Sequence, residues 1–137
     1  MGFRSGMGDA AITISKLAAK VYAAYKDAPI DYKYVSEEVN PLQRIINESG
    51  EHFDSITQSN NDRMKGQKIL KSCQDVLGDL NLLIEKYNSL VPTNPNLVFQ
   101  NVKLGTKNIE TLRTSLASST TSLCSFIQRF DISTIHI

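Results

Sequence analysis

The apolar residues between positions 69 and 90 constrain the fold of this chain more than any other feature. They recur in alternating steps of four and three, which is the spacing of one face of an α-helix. The face consists of Ile69, Cys73, Val76, Leu80, Leu83, Tyr87 and Leu90. Because a helix with one apolar face must bury that face against other elements, this pattern predicts a helical bundle.

Three other parts of the chain carry apolar stripes. The first helix is the least regular, and small alanines fill the spaces between its larger apolar residues Ile12, Leu17, Val21, Tyr22 and Tyr25. The second stripe consists of Val35, Val39, Leu42, Ile46 and Phe53. The last consists of Ile109, Leu112, Leu116, Leu123, Phe126 and Phe130. Each stripe predicts one helix that buries one face.

Helix-breaking and capping residues separate these stripes. Pro29, the polar run at 59–62 and the prolines Pro92 and Pro95 lie between them. Pro41 lies inside the second stripe, where it either bends that helix or marks its true start. The helices are expected at about 9–26, 29–54, 62–90, 97–104 and 106–130. With 137 residues, the chain is predicted to be one all-α domain, an antiparallel four-helix bundle with a short extra helix before the last long one.

The charged and reactive residues favour no enzyme, cofactor site or metal site. Fifteen Lys and Arg against fourteen Asp and Glu leave a net charge of +1, so nucleic acid is not an expected partner. His52 and His136 show no ligand spacing, and Cys73 and Cys124 lie on apolar stripes as expected for core residues. The basic residues that open the third helix are interpreted as a solvated face. No apolar stretch is long enough to cross a bilayer, which predicts a soluble protein.

The stretch 114–128 departs from an ordinary surface helix because it has fifteen residues, no charge and eight Ser or Thr. Either this helix packs on more than one side, or its polar face is small so that another surface can press against it. We favour the first arrangement, because buried Ser and Thr can bond back to helix carbonyls. In the second, Ser118, Ser122 and Ser125 are the candidate interaction face.

Four segments together carry a resemblance to a known family: LAAKVYAAYKDAP at 17–29, YVSEEVNPLQRII at 34–46, ILKSCQDVLGDLNLLIEKYNSL at 69–90 and VKLGTKNIETLRTSLASSTTSLCSFIQRF at 102–130. They resemble the N-terminal helical domain of fungal signalling proteins built like NOD-like receptors, the HeLo-like group. Its architecture is similar to that of plant resistance coiled-coil domains and of the necroptosis four-helix bundle. The run KDAP at 26–29 followed by SEEV at 36–39 is the most distinctive match.

The resemblance implies a cytoplasmic domain of innate immunity, heterokaryon incompatibility or programmed cell death that self-associates or targets membranes with its first helix. The segment 2–25 matches the position of the family's membrane-active helix. Candidate membrane or oligomerisation residues in it are Ile12, Ile14, Lys16, Leu17, Lys20 and Val21. Its charges disfavour a spanning helix, and interfacial binding to anionic lipids or a pore with its charges facing water is easier.

Two functions from different classes follow. In the leading hypothesis the bundle stores the first helix until activation frees it for membrane insertion or self-assembly, because a weakly regular, Ala-rich helix is expected to be held least tightly. In the alternative, the bundle is a protein–protein adaptor without membrane activity that docks through the uncharged face around Ser118 to Ser125.

Overall fold

The computed structural model describes residues 7–28, 32–56 and 59–130, and these form an all-helical chain without strands. Four long helices and one short helix occur in these ranges, which confirms the predicted all-α bundle. They are α1 (Met7–Lys26), α2 (Tyr34–Ser49), α3 (Phe53–Ile56), α4 (Asn60–Leu90) and α5 (Ile109–Gln128). The residues at 132–137, apart from His136, are in strand-favouring order and predict an extended tail, and this segment with His136 lies outside the described residues.

Two side-chain caps explain where α4 and α5 begin. Ser59 accepts a hydrogen bond from the backbone N–H of Asp62 at 3.1 Å, so α4 starts directly after the polar run that predicted a cap. Asn108 accepts from the backbone N–H of Thr111 at the same distance, 3.1 Å, and α5 therefore starts at Ile109 rather than at 106.

The extra helix expected at 97–104 is reduced to a single 3-10 turn at Phe99–Asn101. Val98 and Val102 flank this turn in extended conformations, which β-branched residues favour, so the turn cannot grow into a helix. Leu104 and Lys107 then pair through an isolated antiparallel bridge. Gly105 closes the turn between them with a positive φ of 64°, a conformation that glycine adopts without strain.

The second predicted helix, 29–54, is not continuous in the described residues. It is divided into α2, a 3-10 turn at Gly50–His52, and α3, while residues 29–31 lie outside the described ranges. A Cβ atom at Gly50 would lie 3.2 Å from the Cβ of Ala11, so glycine allows α1 to approach closely where the helix breaks. Pro41 is exposed inside α2, so it does not mark the start of that helix.

Contacts at the two ends of the bundle fix the helix directions. At one end the backbone N–H of Gly8 in α1 bonds Asp54 in α3 at 3.4 Å, and Arg129 after α5 pairs with Asp62 in α4 at 3.3 Å. At the other end Arg113 near the start of α5 pairs with Glu38 near the start of α2. Successive long helices therefore alternate in direction, as predicted.

Neighbouring helices are not all antiparallel, however. The hairpin of α1 and α2 lies beside the hairpin of α4 and α5, so that α1 packs against α4 and α2 packs against α5. Each of these two pairs joins helices that run in the same direction. The bundle is thus built from two antiparallel hairpins whose mutual contacts are parallel.

The core lies between all four long helices, and α1 contributes to it more regularly than its sequence indicated. Its buried residues recur in alternating steps of three and four, and they are Ala11, Ile14, Ala18, Val21 and Tyr25. In α4 Leu70 is buried and Ile69 is only half-buried, and Leu90 is exposed. Two alanines in the buried row of α1 allow the neighbouring helices to approach closely.

Candidate functional site

The six candidate residues of the first helix do not share one face. Ile14 and Val21 are buried in the core, and Leu17 is half-buried against it. Ile12, Lys16 and Lys20 are exposed, and Ile12 has 57% of its surface accessible. In the folded bundle the outer face of α1 therefore presents one large apolar residue and two lysines, while the other apolar candidates hold the helix in place.

A shallow groove of about 470 Å³ lies beside Ile12, between the start of α1 and the end of α2. Ile46 and Lys16 line it, and the Ser15 hydroxyl donates a hydrogen bond to the Asn47 side chain beside it. This bond joins α1 to α2 at the surface. The exposed part of α1 is thus tied to its neighbour by polar contacts as well as by the core.

The outward side of α5 is exposed and uncharged over four turns. Six of the eight hydroxyl residues in 114–128 are exposed, among them the candidates Ser118, Ser122 and Ser125. The favoured expectation that this helix packs on more than one side is therefore wrong. Its buried residues, including Leu112, Leu116 and Leu123, all belong to one apolar side.

The two remaining hydroxyls of this stretch show how α5 accommodates them. Ser119 is buried and its hydroxyl lies 2.9 Å from that of Ser72 in α4, so the two residues bond across the helix interface. The Thr120 hydroxyl donates to the Leu116 carbonyl at 2.8 Å, and the exposed Thr114 makes the same type of bond to Glu110 at 3.1 Å. Hydroxyl groups of α5 therefore bond to carbonyls of the same helix even though α5 is buried on one side only.

A second groove, of about 330 Å³, lies between α4 and α5 and contains charges of both signs. Two of its three lysines are paired with carboxylates: Lys71 with Asp75 at 2.9 Å and Lys107 with Asp79 at 3.2 Å. Because the carboxylates offset most of the positive charge, the groove offers little attraction for a phosphate group.

Arg113 forms the most extensive polar cluster between helices that are distant in the sequence. Its guanidinium donates to both carboxylate oxygens of Glu38, at 2.9 and 2.7 Å, and to those of Glu110 at 3.1 and 3.2 Å. It also lies 4.5 Å from the centre of the Tyr34 ring. The hydrogen bonds to Glu38 raise the pKa of Arg113 further above its usual value. This cluster joins α2 to α5.

Sequence reasoning did not identify the Arg113 cluster. The spacing of Glu110 and Arg113 within one helix turn was visible in the sequence, but Glu38 is 75 residues away. No signal in a single sequence connects residues at that separation.

The reactive side chains of the described residues form no catalytic arrangement. Burial raises the pKa of the Cys73 thiol to about 12, so this thiol stays protonated and is a poor nucleophile. Cys124 is half-buried on α5. Within 7–28, 32–56 and 59–130, no group of three or more His, Cys, Asp or Glu could hold a metal ion. In the same part of the chain, none of the helices has the length and apolar character needed to cross a membrane.

Comparison of the chain with models of protein families, with curated proteins and with solved structures finds no match. The resemblance to the HeLo-like domains therefore stays a prediction.

Proposed function

We propose that this bundle is a non-enzymatic signalling domain that acts as an intact fold by docking the uncharged face of α5 onto another protein. One observation carries the proposal: the exposed side of α5 between residues 114 and 128 contains no charged residue. The centres of protein interfaces are depleted of charges in the same way, whereas a helix face that stays in water normally carries them.

The side chains of this face suit close contact with a partner. Ser118, Ser122 and Ser125 are short, so they lose little conformational entropy on binding and keep a partner helix close to the α5 backbone. Their hydroxyls both donate and accept hydrogen bonds, so a partner finds a polar group for either role. A role in cell-death or immunity signalling, as the family resemblance implies, is the biological setting that we propose for this docking.

A membrane role for a released α1 is the less favoured proposal. Release would take Ile14, Val21 and Tyr25 out of the core, and each large apolar side chain contributes about 1.5–3 kcal/mol when buried. An activating partner or a lipid surface must supply that free energy. Leakage of anionic liposomes by the folded protein would support this role, and intact liposomes after treatment with the protein and with an α1 peptide would exclude it.

The docking proposal is tested by placing charge on the α5 face. The tagged protein and the variant Ser118→Lys/Ser122→Lys are each exposed to an extract of cells that express the chain, and every captured protein is quantified. The matched control is Ala19→Lys/Ala23→Lys, which adds the same charge at the same spacing to exposed positions of α1.

We expect specific partners to bind the wild type and the control but to be lost from the Ser118→Lys/Ser122→Lys variant. Circular dichroism must show the same helix content in all three proteins. Equal capture by the variant and the wild type would contradict the assignment of the α5 face.

A further inference from the structure

The outer face of α4 carries a second regular row of residues, directed away from the core. The row, which we name the α4 outer stripe, consists of Met64, Lys68, Lys71, Asp75, Gly78 and Leu82. Its steps alternate between four and three, as in the seam of a two-stranded coiled coil. Met64 and Leu82 leave 64% and 52% of their surfaces exposed, and both are unusual on a solvated helix face.

Gly78 is a further residue of the stripe that the isolated bundle does not explain. It lies within α4, where glycine costs about 1 kcal/mol of helix stability relative to alanine. A Cβ atom built at Gly78 meets no heavy atom of the described residues within 4 Å. Packing within one chain therefore does not require glycine at this position.

The stripe is complementary to itself when two copies of α4 run antiparallel. A two-fold axis beside position 73 places Met64 opposite Leu82 of the second copy and Lys71 opposite its Asp75. The same axis places Lys68 opposite Gly78, where the absent side chain leaves room for the long lysine stem. Apolar residues thus meet apolar residues, and each cation meets an acid or an open position.

We propose that the α4 outer stripe is a self-association surface that binds the same stripe of a second copy of this chain in antiparallel orientation. The charges of the stripe are complementary to those of a second copy, and this complementarity is the reason for choosing a second copy as the partner. Lys71 and Asp75 already form a 2.9 Å pair within one chain, with 69% and 58% of their side chains exposed. Two such pairs brought together across the axis form a square of four charges of alternating sign.

The size of the stripe sets the strength of the association. The nineteen residues from Met64 to Leu82 span about 27 Å of helix, and the stripe offers only two large apolar residues per copy. Such an interface is smaller than those of stable dimers, so the association is weak and depends on protein concentration. The surface is distinct from the α5 face, and the failure of either proposal leaves the other intact.

Charge reversal tests the proposal sharply. Sedimentation velocity is measured over a range of concentrations for the wild type, Lys71→Asp, Asp75→Lys and the double variant. Each single variant places four like charges around the axis, and we expect its self-association to weaken by about tenfold or more. The double variant restores the opposite pairing, so its affinity is expected to return to within about threefold of the wild-type value.

A mixture of the two single variants gives the strongest result. At positions 71 and 75 Lys71→Asp presents two acids and Asp75→Lys presents two cations, so a one-to-one mixture is expected to form a heterodimer at concentrations where each variant alone is monomeric. A wild type that stays monomeric up to millimolar concentration would overturn the proposal. So would a mixture that associates no better than its components.

The apolar ends of the stripe provide a second, independent measurement. Leu82→Ser removes an apolar contact on each side of the axis and is expected to weaken association by about tenfold. The control Leu90→Ser changes an exposed leucine of the same helix outside the stripe and leaves association unchanged. Equal effects of the two substitutions would contradict the proposal that the α4 outer stripe is the self-association surface. Ser118→Lys/Ser122→Lys leaves the self-association unchanged, and its loss in that variant would assign the dimer to α5 instead.

Discussion

Among the residues that the structure describes, Tyr25 is the largest side chain that is fully buried, and its polar end is satisfied within the core. Its hydroxyl donates to the Leu80 carbonyl at 2.7 Å, and its ring packs edge-on against Phe99 with 6.1 Å between ring centres. A hydrogen-bonding side chain at the end of α1 thereby contacts the backbone of α4. The sequence predicted the burial of Tyr25, but not the acceptor, because Leu80 lies 55 residues further along the chain.

We expect Tyr25→Phe to lower the free energy of unfolding by about 1 kcal/mol, because it removes one buried hydrogen bond without creating a large cavity. Urea denaturation followed by circular dichroism measures this change. Tyr22→Phe is the control, because Tyr22 is only half-buried. An unchanged midpoint in Tyr25→Phe would show that the hydroxyl contributes nothing to stability.

Burial of Cys73 and Tyr25 also predicts how stability depends on pH. Burial raises the pKa of Cys73 to about 12 and raises that of Tyr25 above its ordinary value. Above about pH 9 the unfolded chain releases protons that the native protein retains, so stability is fully present below that pH and falls as pH rises. Urea titrations between pH 8 and 11 are expected to show this decline in the free energy of unfolding. Its slope is at most about 1.4 kcal/mol per pH unit for each group that is ionised in the unfolded chain and protonated in the native protein. A flat profile would contradict it.

At the scale of single elements, α1 shows most clearly where the sequence misled. Its large residues Ile12 and Leu17 indicated an irregular apolar side, whereas the buried row includes the small residues Ala11 and Ala18. The alanines between the larger residues indicated that another helix could approach closely, but the sequence did not show which alanines are buried or which helices they contact. The expectation that α1 is the most loosely held helix rested on this interpretation.

We expect the amide hydrogens of residues 18–25 in α1 to exchange with solvent as slowly as those of residues 76–84 in α4, because both segments line the same core. Hydrogen exchange followed by NMR measures both in one experiment. Exchange in α1 that is faster by an order of magnitude or more would restore the original expectation of a releasable helix.

The interior glycine of α4 provides a test of helix stability. Gly78→Ala is expected to raise the free energy of unfolding by about 0.5–1 kcal/mol, because the added methyl group meets open space and alanine favours the helix. Thermal unfolding of dilute protein measures this effect on the single chain. Gly105→Ala, at a φ of 64°, is expected to destabilise the protein instead. A lower melting temperature for Gly78→Ala would contradict the prediction.

The break after α2 illustrates what a local pattern cannot predict. The apolar stripe continues to the buried Phe53, so periodicity alone predicted one helix to residue 54. At Gly50, where the 3-10 turn begins, a Cβ atom would lie 3.2 Å from the Cβ of Ala11 in α1. The low helix propensity of glycine and the close approach of α1 therefore coincide at this boundary, and the apolar period shows neither.

At the scale of the whole molecule, the sequence predicted the number and alternation of the long helices but not the parallel contacts between the two hairpins. An apolar stripe specifies which side of a helix is buried, but it does not specify which other helix packs against that side. The pairing of α2 with α5 depends on contacts such as that between Glu38 and Arg113. The sequence identified the uncharged α5 face through the stretch 114–128, but only the structure shows that this face is exposed.

A double-mutant cycle with Glu38→Gln and Arg113→Met measures how strongly this pair joins the hairpins. We expect a coupling free energy of about 1 kcal/mol that decreases with salt, because the bond is bidentate but partly exposed. The exposed Lys71–Asp75 pair is the comparison and is expected to give about 0.3–0.5 kcal/mol. If the coupling at the Glu38–Arg113 pair is no larger than this, the apolar core alone joins the two hairpins.

The aromatic rings are distributed unevenly between the two ends of the bundle. Tyr25, Tyr32 and Tyr87 each contact Phe99, with ring centres 4.8 to 6.1 Å apart, and Tyr34 contacts Tyr32 at 5.5 Å. The protein has five tyrosines and no tryptophan, and four of the five tyrosines belong to one cluster, in which three contact Phe99 and Tyr34 contacts Tyr32. Ultraviolet emission from this protein consequently reports mainly on the end that holds Phe99, and fraying near α3 would leave the signal almost unchanged.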